Sequence, residues 1–145
     1  MEKRDINVLN NVLEGTYMGI DSYSKFVNNI DNPDLRHKLE NQERQYKESA
    51  SQLASHIRNL GGNAKDNPGF KGVVTTVTNT VKLLGEDKTV RSLEMIKDGI
   101  KTAIDAKEDA IDKVSSNSKQ LLQSQLESDK TILNEIKSFI SEVKH

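Results

Sequence analysis

Between residues 35 and 60, Leu35, Leu39, Gln42, Tyr46, Leu53, Ile57 and Leu60 recur at steps of three, four and seven. That spacing puts them on one face of an α-helix and would scatter them over both faces of a strand. Three other stretches carry the same pattern. About residues 3–30 align Ile6, Leu9, Leu13, Tyr17, Ile20, Phe26/Val27 and Ile30. About 86–114 align Val90, Leu93, Ile96, Ile100, Ile104, Ile111 and Val114. About 117–144 align Leu122, Leu126, Ile132/Leu133, Ile136, Phe139/Ile140 and Val143. Four long helices, each with one buried stripe, are expected.

The breaks decide how these helices connect. In "IDNPDL", Asp31 or Asn32 can cap, Pro33 suits a first helical turn, and Asp34 suits the positive end of a helix. The turn is tight, so the first two helices form an antiparallel hairpin. Gly61 and Gly62 after Leu60 stop the second helix. "SSNS" at 115–118 breaks and recaps the chain, which gives a second hairpin. Residues 70–84, "FKGVVTTVTNTVKLL", fit either a strand or a helix. A lone strand has nothing to pair with, so a short helix ended by Gly85 is expected. The fold class is therefore all-α: a single domain over 1–145, a ferritin-like four-helix bundle. Its two antiparallel hairpins are joined by a long crossover, 61–85, containing that short helix.

Composition narrows the function. Apolar residues make up 34% and charged residues 30%, with a net charge of -1. Periodic apolar residues and near-neutral charge argue against disorder. Acids and bases are interspersed, so no basic patch points to nucleic acid. The chain has no cysteine, which removes thiolate metal sites, disulfides and cysteine nucleophiles. No apolar run approaches the ~20 residues of a membrane span. The opening "MEKRDINVLNNV" lacks a signal-peptide core, so a cytoplasmic protein is expected. No nucleophile-elbow motif frames a serine.

A weak internal repeat aligns the hairpins at an offset of 84: Ile6 with Val90, Leu9 with Leu93, Ile20 with Ile104, Glu14-Gly15 with Asp98-Gly99. Helices two and four align less well at that offset, though Glu43 meets Glu127. Bundles of this type build metal centres in their core, from one Glu on one helix of each hairpin and Glu-x-x-His on the other. The repeat places Glu14 and Asp98 at the single-carboxylate positions and Glu43 and Glu127 at the others. Both histidines are missing: Tyr46 and Lys130 stand in their places. His37, His56 and His145 are too far apart to form a helical clamp. A metal site of Glu14, Glu43, Asp98 and Glu127 is thus a remnant at best, and its all-oxygen donors would suit iron or another hard cation. The stripe also holds polar residues. Buried polar groups need partners, so a mid-bundle layer of some of Gln42, Tyr46, Tyr17 and Asp129, with Lys97 or Lys101, is expected.

Gly15 and Gly19 fall a turn apart within "LEGTYMGIDSY", and each weakens the helix unless a close backbone approach requires it. Met18 and Phe26 lie off or at the edge of the stripe, and either flank the core or meet a second copy.

The chain resembles a known group on "LNNVLEGTYMGIDSYSKFV", "NPDLRHKLENQERQYKESASQLASHIRNLGG", a Val-rich crossover and "EMIKDGIKTAIDAKEDAI". The order is similar to uncharacterised ferritin-like bundle proteins, a domain of unknown function distantly related to rubrerythrin. The shared features are the glycine-containing first helix, Tyr23, the "PDL" turn, Glu43-Arg44 and "LGG". The group's acid after the third-helix glycine is absent, because Gly99 is followed by Ile100. The resemblance implies the ferritin-like fold and no established activity. The expectation is a bundle without an intact two-metal centre, not an enzyme, with a binding or structural role. No cofactor is expected, and a homo-oligomer is the expected assembly. The alternative is an iron-type protein that binds through the four acids.

Overall fold

The computed structural model describes residues 2–67 and 88–144. Helix α1 spans Glu2–Phe26 and α2 Pro33–Asn59; α3 spans Lys88–Ala110 and α4 Ser116–Lys144. The expected short helix at 70–84 lies outside the described residues.

Local chemistry sets each boundary. The first helix narrows after Phe26 to a single 3-10 turn, Val27–Asn29. Asn32 caps α2 by accepting from the Leu35 amide at 3.1 Å, with Pro33 in the first turn. The Arg36 guanidinium donates through Nε and Nη2 to the Ile30 carbonyl at 2.9 and 2.7 Å, which pins the hairpin turn. At the other end, the Gly62 amide donates to the Ile57 carbonyl and the Gly61 amide to the Arg58 carbonyl. This Schellman closure needs a left-handed residue, and Gly61 supplies it at φ 90. The third helix stops at Ala110 and not near 114. The chain turns there to bring Ser115 onto Asp5 of α1, a long-range capping partner that periodicity does not reveal.

Helix α1 packs most closely on α3; each also packs on its own hairpin partner, and of the neighbouring pairs α2 and α4 touch least. The glycines make the α1–α3 approach. A Cβ at Gly15 would come within 2.9 Å of the Ala106 Cβ, and one at Gly19 within 3.5 Å of the Gly99 carbonyl. A Cβ at Gly99 would in turn collide with Ser22. As α1 advances from Gly15 to Ser22, its α3 neighbours run back from Ala106 to Gly99, so α1 and α3 are antiparallel. Each hairpin reverses direction, so α2 and α3 run parallel, and the end of α2 and the start of α3 lie at opposite ends of the bundle.

The start of that connection is tied down along α1. Asn10 donates to the Asn63 carbonyl and accepts from the Lys65 amide, at 3.0 and 2.9 Å. The Tyr17 hydroxyl donates to the Lys65 carbonyl at 2.8 Å.

Candidate functional site: a polar core closed by an ion pair

An apolar core carries a polar layer at its middle. Leu9, Leu13, Leu39, Leu53, Ile57, Leu93, Ile96, Ile100, Leu122 and Ile136 are fully enclosed. Among them lie Tyr23, Gln42, Tyr46, Lys107, Gln125 and Asp129, none more than 4% exposed.

The repeat explains how they meet. The link from Ala110 to Ser116 is one residue shorter than that from Phe26 to Pro33. The offset is therefore 84 between α1 and α3 but 83 between α2 and α4. At 83, buried Leu39 matches Leu122, Gln42 matches Gln125, Tyr46 matches Asp129, Leu53 matches Ile136 and Ile57 matches Ile140. At 84, Tyr23 matches Lys107. Tyr46 and Asp129 are thus equivalent positions of the two hairpins, flanked by the equivalent pair Tyr23 and Lys107.

The Lys107 ammonium donates to Asp129 Oδ2 at 2.6 Å, with the two side chains 0% and 2% exposed. The same nitrogen stands 5.7 Å from the centre of the Tyr46 ring, within cation–π range. The Tyr46 and Tyr23 rings are tilted against each other at 6.0 Å. The Tyr23 hydroxyl donates to Gln42 Oε1 at 2.9 Å, and Gln42 Nε2 reaches Glu135 at the surface at 3.3 Å. Gln125 Nε2 donates to the Ser49 carbonyl and to Gln52, bridging the thin α2–α4 side. The Tyr46 hydroxyl is buried beside Asp129 without a hydrogen bond of full geometry.

Burial governs the ionisation of this cluster. It pushes the Lys107 amine down, and the neighbouring carboxylate pulls it partly back. It pushes the Asp129 carboxyl up, opposed by Lys107 and then by Tyr46. Both tyrosines are driven well above their usual range, first by burial and then by the Asp129 charge, so they are hydroxyl donors and not phenolates. Each buried ion would be costly alone, and each is held by the other.

The four acids singled out in the sequence do not meet. Glu14 is exposed and pairs with Lys65 of the crossover. Glu43, its side chain 15% exposed, accepts from Ser24 of α1 and pairs with Lys47 at 3.2 Å. Asp98 and Glu127 are exposed on α3 and α4. The 84 offset sets Glu43 opposite Glu127, but 83 applies to α2 and α4, and the inward polar residues beside them are Gln42 and Tyr46 on α2 and Gln125 and Asp129 on α4. Among the described residues no group of three His, Cys, Asp or Glu is placed to hold a metal. The core position fits one no better. It offers a single carboxylate, and an ammonium already sits on it.

The expected polar layer forms, with Gln42, Tyr46 and Asp129 in it but not Tyr17, Lys97 or Lys101. Tyr17 is turned outward to Lys65. Lys101 is exposed and Lys97 only half-buried, and Lys107 and Tyr23 take the inward places. Lys107 had a visible signal, since it fills the gap between Ile104 and Ile111 at steps of three and four.

A second cluster closes one end of the bundle. Asp5, only 3% exposed, accepts from the Ser115 amide at 3.1 Å, from the Ser115 hydroxyl at 2.5 Å and from the Ser118 hydroxyl at 3.0 Å. His56 Nε2 lies 2.9 Å from the same Ser118 oxygen. Ser118 gives its one proton to Asp5, so His56 donates to it. This order is the reverse of an activated serine, and Ser118 is fully buried. Burial pushes the Asp5 carboxyl up, but the bonds from Ser115 and Ser118 outweigh it and hold the group below its usual value. The cluster is a cap: a carboxylate against the N-terminus of α4.

This arrangement, two antiparallel hairpins with a parallel crossover and polar side chains from all four helices at the centre, is that of a ferritin-like bundle. The chain is similar in structure to the Dps protein from Vibrio cholerae O1, described as a member of a broad superfamily of ferritin-like diiron-carboxylate proteins. The TM-score is 0.73 and the identity 15%, over 96% of this chain and 90% of that one. At this identity the likeness shows the fold alone. Residues 4–113 match the family Domain of unknown function (DUF2383), and the chain belongs to that family. No curated protein matches it.

Proposed function

We propose that this chain is a non-enzymatic ferritin-like bundle with a binding or structural role, whose core is held together by its own side chains and not by a two-metal centre. The observation that carries this reading is the buried Lys107–Asp129 pair. A metal next to a fixed ammonium would face like-charge repulsion with one carboxylate to hold it. Assembly with further copies belongs to the same reading. Met18, 57% exposed on α1, borders a cavity of about 230 Å³ between α1 and α3, lined also by Met95 and Phe26. Phe26 itself is buried, so of these two Met18 is the one left to meet a partner. A cytoplasmic location and a distant relation to rubrerythrin complete the proposal.

Metal analysis of protein purified without chelator tests it. The expected result is far less than one metal per chain, with unfolding unaffected by EDTA. One or two tightly held metals per chain would overturn the reading.

A further inference from the structure

Tyr46 and Asp129, equivalent positions of α2 and α4, lie together at the middle of the bundle, between the equivalent residues Tyr23 of α1 and Lys107 of α3. Bundles of this class set their cations at such a place, between inward side chains of facing helices. Here the only buried acid of that cluster, Asp129, meets a positive charge at 2.6 Å, and the charge arrives on the end of a side chain. The π face of Tyr46, 5.7 Å from the nitrogen, adds a second attraction for a cation. The Tyr23–Gln42 bond fixes the wall on the other side.

We propose that this cluster is a cation site whose occupant is the chain's own ammonium, so that a chain lacking the Lys107 amine takes up a small primary ammonium ion at Asp129. The inference rests on the reading above, since it explains how a bundle of this fold dispenses with metal. It adds that the site keeps its affinity for cations. The tether makes the occupant permanent, because an ammonium joined to α3 is present at an effective concentration no free ion matches.

The Lys107→Ala variant removes a fragment the size of n-propylammonium. Its thermal unfolding is measured with n-propylammonium chloride and with sodium chloride at equal ionic strength. The expected result is a saturable rise in Tm of a few degrees with n-propylammonium over sodium. The rise is absent from the wild type and from Lys107→Ala/Asp129→Leu. If Lys107→Ala is unfolded alone, the same additions are followed by far-UV circular dichroism, and recovery of helix is the expected result. A single variant that responds to n-propylammonium no more than to sodium, or no more than the double variant does, overturns the proposal. Metal content of the wild type separates the two claims: a native metal would sink the proposed function, whereas an unresponsive Lys107→Ala would sink this inference and leave that function standing.

Discussion

Lys107 and Asp129 show how much one pair of side chains decides in this core. Removing one partner leaves the other charged and buried, which costs about 3–5 kcal/mol, whereas replacing both with apolar residues of similar volume is close to neutral. We therefore expect Lys107→Met to lose stability on that scale in denaturant unfolding, and Lys107→Met/Asp129→Leu to recover most of it. The pH dependence of the single variant follows. Burial already raises the Asp129 carboxyl, and Lys107 is the main influence that lowers it. Without the ammonium its folded value rises further, so the penalty applies above that value and fades as pH falls through it. Acidification should narrow the gap between Lys107→Met and the wild type. Asp5 carries the opposite sign. Its folded value lies below the unfolded one. Its stabilisation is present above the unfolded value and is lost as pH falls through the folded one. Asp5→Ala should cost about 1–3 kcal/mol at neutral pH, with the difference shrinking in the acid limb of a stability–pH profile.

At the scale of elements, the small residues of α1 and α3 set the spacing of the bundle. Gly15 has the Ala106 Cβ within 2.9 Å of where its own would stand. Gly15→Leu should push the two helices apart and cost about 1–3 kcal/mol or more by overpacking, read as a fall in the denaturant midpoint. An unchanged midpoint would mean that the approach is not tight in solution. The helices, the turns at Pro33 and Gly61, and the use of glycine for close packing were legible in the sequence, because each is a local preference or a local periodicity. The end of α3 was not, because Ser115 is drawn to Asp5, 110 residues away in sequence. The site was half legible. Gln42, Tyr46 and Asp129 stood out as polar residues on apolar stripes. Their partner Lys107 fills a gap in the α3 stripe, but local pattern alone does not set it apart from Lys97 and Lys101; the one-residue difference in turn length shifts the register of α2 against α4 and is what pairs Glu43 wrongly with Glu127.

At the scale of the whole molecule, the ferritin-like frame and the charge within it serve separate ends. The frame follows from four stripes and a parallel crossover, and it is shared with a diiron-carboxylate superfamily member at 15% identity. The centre is this chain's own. If the exposed Met18 meets a second copy, Met18→Glu should shift sedimentation towards the monomer; a wild type that already sediments as a monomer would contradict that part of the account. The central claim is that a lysine ammonium occupies the middle of the bundle. It is read most directly by heteronuclear NMR of protein carrying ¹⁵N-labelled lysine side chains, at neutral pH. The account predicts one slowly exchanging ammonium resonance, protected from water and lost in Lys107→Met. The contradicting result is a Lys107 resonance that exchanges as fast as those of the surface lysines.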